Sequence, residues 1–223
     1  VVRRNFANGS TFDMYEHNIS SDNTTTSGAS NLYDSTFYFL TSDNRVYKVL
    51  DNNGGTAYSG SEPTSESTSP FALGGYVLKY MYKISASDAA KFNTTDFMPV
   101  STDSTVSAAA TDGAIESLVV TGGSGYTDGT YYAAVFGDGT NQGTSSGAVV
   151  RITVTSGSIQ SFGLTAGSDT TIESAGASYT FGTVNLGDDF IFSDSSLSSS
   201  TPRGARGRGG AREVIISPKE GHG

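Results

Sequence analysis

Apolar and polar positions alternate in short runs along this chain, and helix-period patterns are scarce. In "NLYDSTFYFLTSDNRVYKVLDNNGG", Phe37 and Phe39, then Val46, Lys48 and Leu50, alternate around "SDNR". That pattern predicts a hairpin turning at Ser42–Asn44 and closed by a second turn at Asn52–Gly55. "YVLKYMYKIS" returns as a strand. Tyr76, Leu78, Tyr80, Tyr82 and Ile84 make its core face, with Val77, Lys79, Met81 and Lys83 on the other side and both lysines outward. Between these strands, residues 59–70 read as a polar loop without an apolar anchor. Residues 1–31 read as a strand-poor, polar lead-in. "SASDAAKF" (85–92) is the one good helix start, capped by Ser85 or Ser87 with Asp88 in the first turn, and Pro99 bars its continuation.

From Thr111 the texture becomes Gly-rich. "AIESLVVTGG" from Ala114 resembles "SIQSFGLTAG" from Ser158, at an offset of 158 − 114 = 44. Each segment later reaches a Tyr-Thr pair, Tyr126-Thr127 and Tyr179-Thr180, at an offset of 179 − 126 = 53, so about nine residues are inserted in the second copy. This predicts a duplicated strand–turn–strand unit. "AVVRITVTSGSIQSFGLT" is the cleanest hairpin, with Ala148, Val150, Ile152 and Val154 on one face and a turn at Ser156–Gly157. Residues 193–212 are Ser-rich and then Gly/Arg-rich, a linker, and "EVIIS" (213–217) reads as one more strand. The expected fold is mostly β: sandwich-like antiparallel sheets with long loops, one short helix near 85–92, and the duplicated Gly-rich unit. The expected organisation is a β region over 1–110, an inserted β-repeat region over 111–192, and a linker over 193–223 that returns as a strand to the first region.

Charge adds an asymmetry. Residues 1–200 carry 8 − 20 = −12 and residues 201–223 carry 5 − 2 = +3, for a net −9 over 223 residues. An acidic body repels phosphate backbones and anionic membranes, so neither nucleic acid nor membrane is an expected partner. The cationic stretch "PRGARGRGGAREVIIS" places Arg203, Arg206, Arg208 and Arg212 among glycines, with no aromatic for base stacking. It reads as a loop contacting carboxylates on a protein partner. The chain has no cysteine, so thiol chemistry and disulfide staples are absent. No apolar run approaches the ~18 residues of a membrane span.

Candidate chemistry is thin. "GTSSG" (143–147) matches a nucleophile-elbow pattern literally, but a loop precedes it and a strand follows, where the elbow needs a strand and then a helix. His17 and His222 are too few and too far apart for zinc. Asp188 and Asp189 are adjacent and on a strand would face opposite ways, and Asp138 in "FGDG" reads as a turn residue, so no carboxylate pair emerges. The sequons at Asn8, Asn18, Asn23 and Asn93 are expected by chance in a chain so rich in Ser and Thr. No catalytic, metal or cofactor residues are assigned, and no enzyme activity is expected. "VVRRNF" at the start and "PKEGHG" at the end suggest a segment of a longer or processed polypeptide.

The stretch "RVYKVLDNNGGTAYSGSEPTSESTSPFALGGYVLKYMYKISASDAAKFNTTDFMPV" (45–100) resembles the baseplate wedge subunits of T4-like contractile-tailed phages, the gene product 8 family. The order carries the resemblance: a "VYK" strand, a "DNNGG" turn, an "EPT" loop, then "YVLKYMYKISASDAAKF" and "TTDFMPV". "AREVIISPKEGHG" (211–223) is similar to a later stretch of that family, and "VVRRNFANGSTFDMYEH" fits an earlier one more loosely. The resemblance implies a mostly β structural subunit of the virion tail baseplate, made in the host cytoplasm. It also implies a homodimer within a six-fold assembly that contacts other wedge proteins and carries no catalytic residues. The alternative is a carbohydrate- or receptor-binding tail module, since twelve Tyr and many Asp/Asn/Gly loops would suit sugar recognition.

Overall fold

The computed structural model describes residues 1–120, 123–186, 191–198 and 211–216. It is mostly β, with antiparallel sheets and two short helices. The chain divides into two compact units, one spanning Val1–Ala110 and one from Thr111 onward.

The first unit is built on a four-stranded antiparallel sheet, in the order β1-β2-β4-β3. β1 (Tyr38–Leu40) and β2 (Arg45–Asp51) form the expected hairpin, with Asn44 at its turn in the left-handed region. β3 is Phe71–Leu73 and β4 is Tyr76–Lys83. β2 and β4 are the central strands, and both are buried on both faces. The expectation that Lys79 faces solvent is therefore corrected: Lys79 is buried, as is Lys48, while Lys83 is exposed. The cause is a second covering layer supplied by segments that lack regular structure. The lead-in is not simply polar, because it delivers Phe12, Asp13 and Tyr15 into the interior. The ring of Tyr15 lies under the Lys48 ammonium, whose Nζ is 3.7 Å from the ring centroid, a cation–π contact suited to a buried lysine.

Tyr76, Leu78 and Tyr80 join Phe12, Phe39, Tyr47, Val49, Tyr58 and Val106 in one core cluster. Tyr82 and Ile84 instead join Leu40, Val46, Met81 and Met98 in another. All five of the expected core residues, four in β4 and Ile84 just after it, are buried, but they do not share one cluster. Tyr80 pairs with Tyr47 and Tyr82 with Val46, so Met81 is an extra residue in β4. Such a bulge interrupts the two-residue period and re-aims the side chains after it.

α1 (Ala86–Phe92) starts where expected. Ser85 caps it by accepting from the Asp88 backbone N–H. α2 (Ser104–Ala109) was not anticipated. Asp103 caps it, accepting from Thr105 N at 2.9 Å and Val106 N at 3.2 Å, and only Val106 is buried.

The second unit holds one curled, half-barrel sheet. Its strands are β5 (Ile115–Val120), β6 (Gly129–Gly137), β7 (Val149–Thr155), β8 (Ser158–Ile159), β9 (Thr171–Ser174), β10 (Gly182–Val184), β11 (Ile191–Phe192) and β12 (Ala211–Ile216). The path runs β5-β12-β10-β6-β7-β8, with β11 also on β6 and β9 also on β7. Ile115 N donates to Ala175 O at 2.9 Å, tying the start of β5 to the end of β9. The strand anticipated near 213–217 is present as β12. It pairs with β5 and β10 of the second unit, and does not return to the first as expected. A strand pattern in sequence gives no register partner; here the β5–β10 gap supplies it.

The duplication is visible in the backbone. Gly113 and Gly157, one offset of 44 apart, both have positive φ, as do Gly125 and Ser178, one offset of 53 apart. Ile115 and Ile159 are both buried, as are Leu118 and Phe162, and Tyr126 and Tyr179. The halves clasp each other reciprocally. Tyr126 N donates to Gly157 O, and Tyr179 N donates to Gly113 O, each at 3.1 Å. The inserted residues, 168–176, contain β9.

Candidate interaction surface

Of the four arginines singled out in sequence, Arg203, Arg206 and Arg208 lie outside the described residues. Arg212 is a position of β12, at the register shift between Ala211 and Glu213. Asp188, Asp189 and His222 also lie outside the described residues. "GTSSG" is loop between β6 and β7, as read from sequence. Asp138 links two segments distant in sequence: its carboxylate accepts from Thr180 N at 2.8 Å and from Thr180 Oγ1 at 2.5 Å. Those bonds hold its carboxyl below the usual carboxylate range. His17 is exposed. Among the described residues, no three His, Cys, Asp or Glu side chains converge as metal ligands.

One ionisable centre was missed in sequence. Asp13 is 1% exposed, and its carboxylate accepts from Ser27 N and Ser27 Oγ, both at 2.7 Å, from Thr36 N at 2.8 Å and from Ser35 Oγ at 3.2 Å. Burial pushes its pKa up, yet the hydrogen bonds from Thr36 and Ser27 together outweigh burial and leave it lowered. Its partners come from two separate loops, so Asp13 ties the irregular layer together. The "FDM" pattern alone gave no sign of this, because the partners are far along the chain.

The tyrosines serve the interior. Nine of the twelve are buried, and only Tyr33 is in the exposed class. Burial pushes the hydroxyls of Tyr47, Tyr58 and Tyr82 up to about 12. Their hydroxyls find backbone partners where a core residue needs them: Tyr47 donates to Ser65 O at 2.7 Å, Tyr58 to Ser61 O at 2.9 Å and Tyr76 to Thr56 O at 2.7 Å.

Two of those bonds reach the 59–70 loop, which is held mainly by polar groups. Glu62 accepts from Ser42 N at 2.8 Å and from Ser42 Oγ at 2.5 Å. Arg45 bridges Asp43 and Glu66, with Nε 2.6 Å from Glu66 Oε1. Pro63 is buried, an anchor the polar composition hid. The result is an acidic, fixed loop beside the β1–β2 turn.

A different texture occurs at the ladder formed by residues 1–3 and 96–98. Val2 bridges Phe97, Val1 and Met98 exchange two backbone hydrogen bonds, and Arg3 N donates to Asp96 O at 2.7 Å. Met98 is buried, but Phe97 is 52% exposed, Phe92 at the end of α1 57%, and Val100 62%. Single exposed apolar residues are ordinary; here three fall within nine positions of one chain segment. No protein-family description, no curated protein and no solved structure matches this chain.

Proposed function

We propose that this chain is a structural subunit of a phage tail baseplate wedge, acting through protein–protein contacts and not through chemistry on a substrate. The observation that carries the reading is the ordered resemblance over 45–100. Its motifs coincide with framework in the first unit: "VYK" is in β2, "DNNGG" is the turn after it, and "YVLKYMYKISASDAAKF" is β4 with α1. "TTDFMPV" makes the ladder that presents Phe97. The reading includes a homodimer within a six-fold assembly, other wedge proteins as partners, and residence in the virion tail. Burial of the tyrosines leaves Tyr33 as the exposed one, so a sugar-stacking surface gains no support from them.

Phe92 and Phe97 are the contact residues that this reading puts forward. Exchanging both for Ser should leave the melting temperature within a few degrees, because neither is buried, and should weaken capture of tail proteins by at least about tenfold, as expected of central apolar contacts. Quantitative mass analysis of purified tails should find the chain at a fixed six-fold multiple. A wild-type chain that stays monomeric at high concentration and binds no tail protein would sink the proposal.

A further inference from the structure

The chain contains two Asn-Gly dipeptides, Asn8–Gly9 and Asn53–Gly54. Glycine after asparagine removes the side chain that would otherwise hinder its backbone nitrogen from reaching the asparagine Cγ. The two sites carry the same local chemistry and the same exposure, and they differ in their hydrogen bonds. At the first, Gly9 N–H donates to Tyr58 O at 3.0 Å, and Asn8 Oδ1 accepts from Gly60 N at 3.1 Å. Both reacting groups are held. Both dipeptides are exposed, and a Cβ added at Gly9 or at Gly54 would meet nothing within 4 Å, so the second site differs only in lacking such bonds. Neither the Gly54 N–H nor the Asn53 carboxamide makes a hydrogen bond among the described residues. The neighbouring Asn52 is the contrast: it is buried, its Nδ2 donates to Phe12 O at 3.0 Å, and its Oδ1 accepts from Gly55 N at 3.0 Å.

We propose that Asn53 is a self-modification site that deamidates in the folded chain, while Asn8 is protected by the fold. The Gly54 nitrogen gives its proton to solvent hydroxide and bonds to Asn53 Cγ. The Cγ–Nδ2 bond breaks, and the departing nitrogen takes up a proton from water and leaves as ammonia. The five-membered succinimide is opened by water. Breaking the new Cγ–N bond gives Asp; breaking the original backbone C–N bond gives isoaspartate, with the chain rerouted through the side chain. No oxidant or reductant is involved. Either product adds a negative charge two residues from Asp51, and isoaspartate adds a backbone atom to a turn whose residues 53–55 all have positive φ. The inference is independent of the baseplate reading.

The test is peptide mapping by mass spectrometry of the full chain aged at mildly alkaline pH, in buffer and in denaturant. Opening the Asn8 site requires breaking both of its hydrogen bonds first, so Asn53 should react about tenfold faster or more in the folded chain. In denaturant the two rates should converge, and Asn53→Gln should abolish the fast conversion while Asn8 stays slow. Equal native rates, a faster Asn8, or an Asn53 that is inert until the chain is denatured would each overturn the proposal.

Discussion

Asp13 shows how much a single residue can hold in a layer without regular structure. Its carboxylate draws Ser27, Ser35 and Thr36 to one point, where four donors offset its desolvation. Asn at this position would keep one acceptor and turn an NH₂ group toward backbone N–H donors, so Asp13→Asn should cost about 2–3 kcal/mol in denaturant unfolding. Because its carboxyl is lowered on folding, its stabilisation is full above about pH 4 and is lost as pH falls through the folded pKa. The stability gap between wild type and Asp13→Asn should therefore close on acidification; a constant gap would deny the carboxylate its role. Tyr82 is the hydrophobic counterpart. It is 7% exposed, and Tyr82→Ala should lower stability by about 3–5 kcal/mol, with an unchanged melting temperature counting against the packing described. At this scale the sequence was legible for apolar residues and for Lys83, and misleading for Lys79. Lys79 looks like a solvent position because the pattern cannot show that irregular segments cover the second face of the sheet.

Among the elements, the hairpins were readable because their turns have chemistry of their own. Ser156 and Gly157 both have positive φ, the geometry of a two-residue turn that matches strand twist. α1 was readable from its cap. α2 has a comparable signal in Asp103 followed by Ser104, but its six residues bury only Val106, too few to make an apolar period. The bulge at Met81 left no trace in the alternation it disrupts, since the residues on both sides of it are apolar. The clasp glycines permit a comparison within one chain. Gly113 has φ +68, and a Cβ there would fall on the backbone nitrogen of Tyr179, whereas at Gly157 (φ +74) the nearest atom, Tyr126 O, is 3.5 Å away. Gly157→Ala should cost about 1–2 kcal/mol for the left-handed backbone alone, and Gly113→Ala about 2–4 kcal/mol because steric displacement is added. Equal losses in thermal unfolding would mean that the clasp has room to yield.

For the whole molecule, the division near residue 110 coincides with the change of texture in the sequence, while the destination of β12 could not be read. Strand propensity at 213–217 was plain, but choosing between two units as its partner requires the β5–β10 gap. The charge asymmetry belongs to this scale as well. A body of −12 with a cationic stretch of +3 suits an assembly of like-charged subunits, since cationic residues offset their repulsion. Changing Arg203, Arg206, Arg208 and Arg212 together to Ser should leave the fold intact and weaken binding to an acidic protein surface. The effect should shrink with salt, because exposed pairs contribute only about 0–1 kcal/mol each. Tight, salt-dependent binding of single-stranded nucleic acid that these changes abolish, with protein binding untouched, would reverse that assignment.

The insertion at 168–176 gives the duplicated unit a direction. Two matched halves that clasp each other reciprocally would form an object with two interchangeable ends, able to enter an assembly either way round. β9 lies in the insertion, beside β7 in one half, and the other half has no equivalent residues after Gly123. Nine residues thus turn a near-symmetric pair into a part with a head and a tail, and a part with a head and a tail can be built into a larger structure in one orientation only.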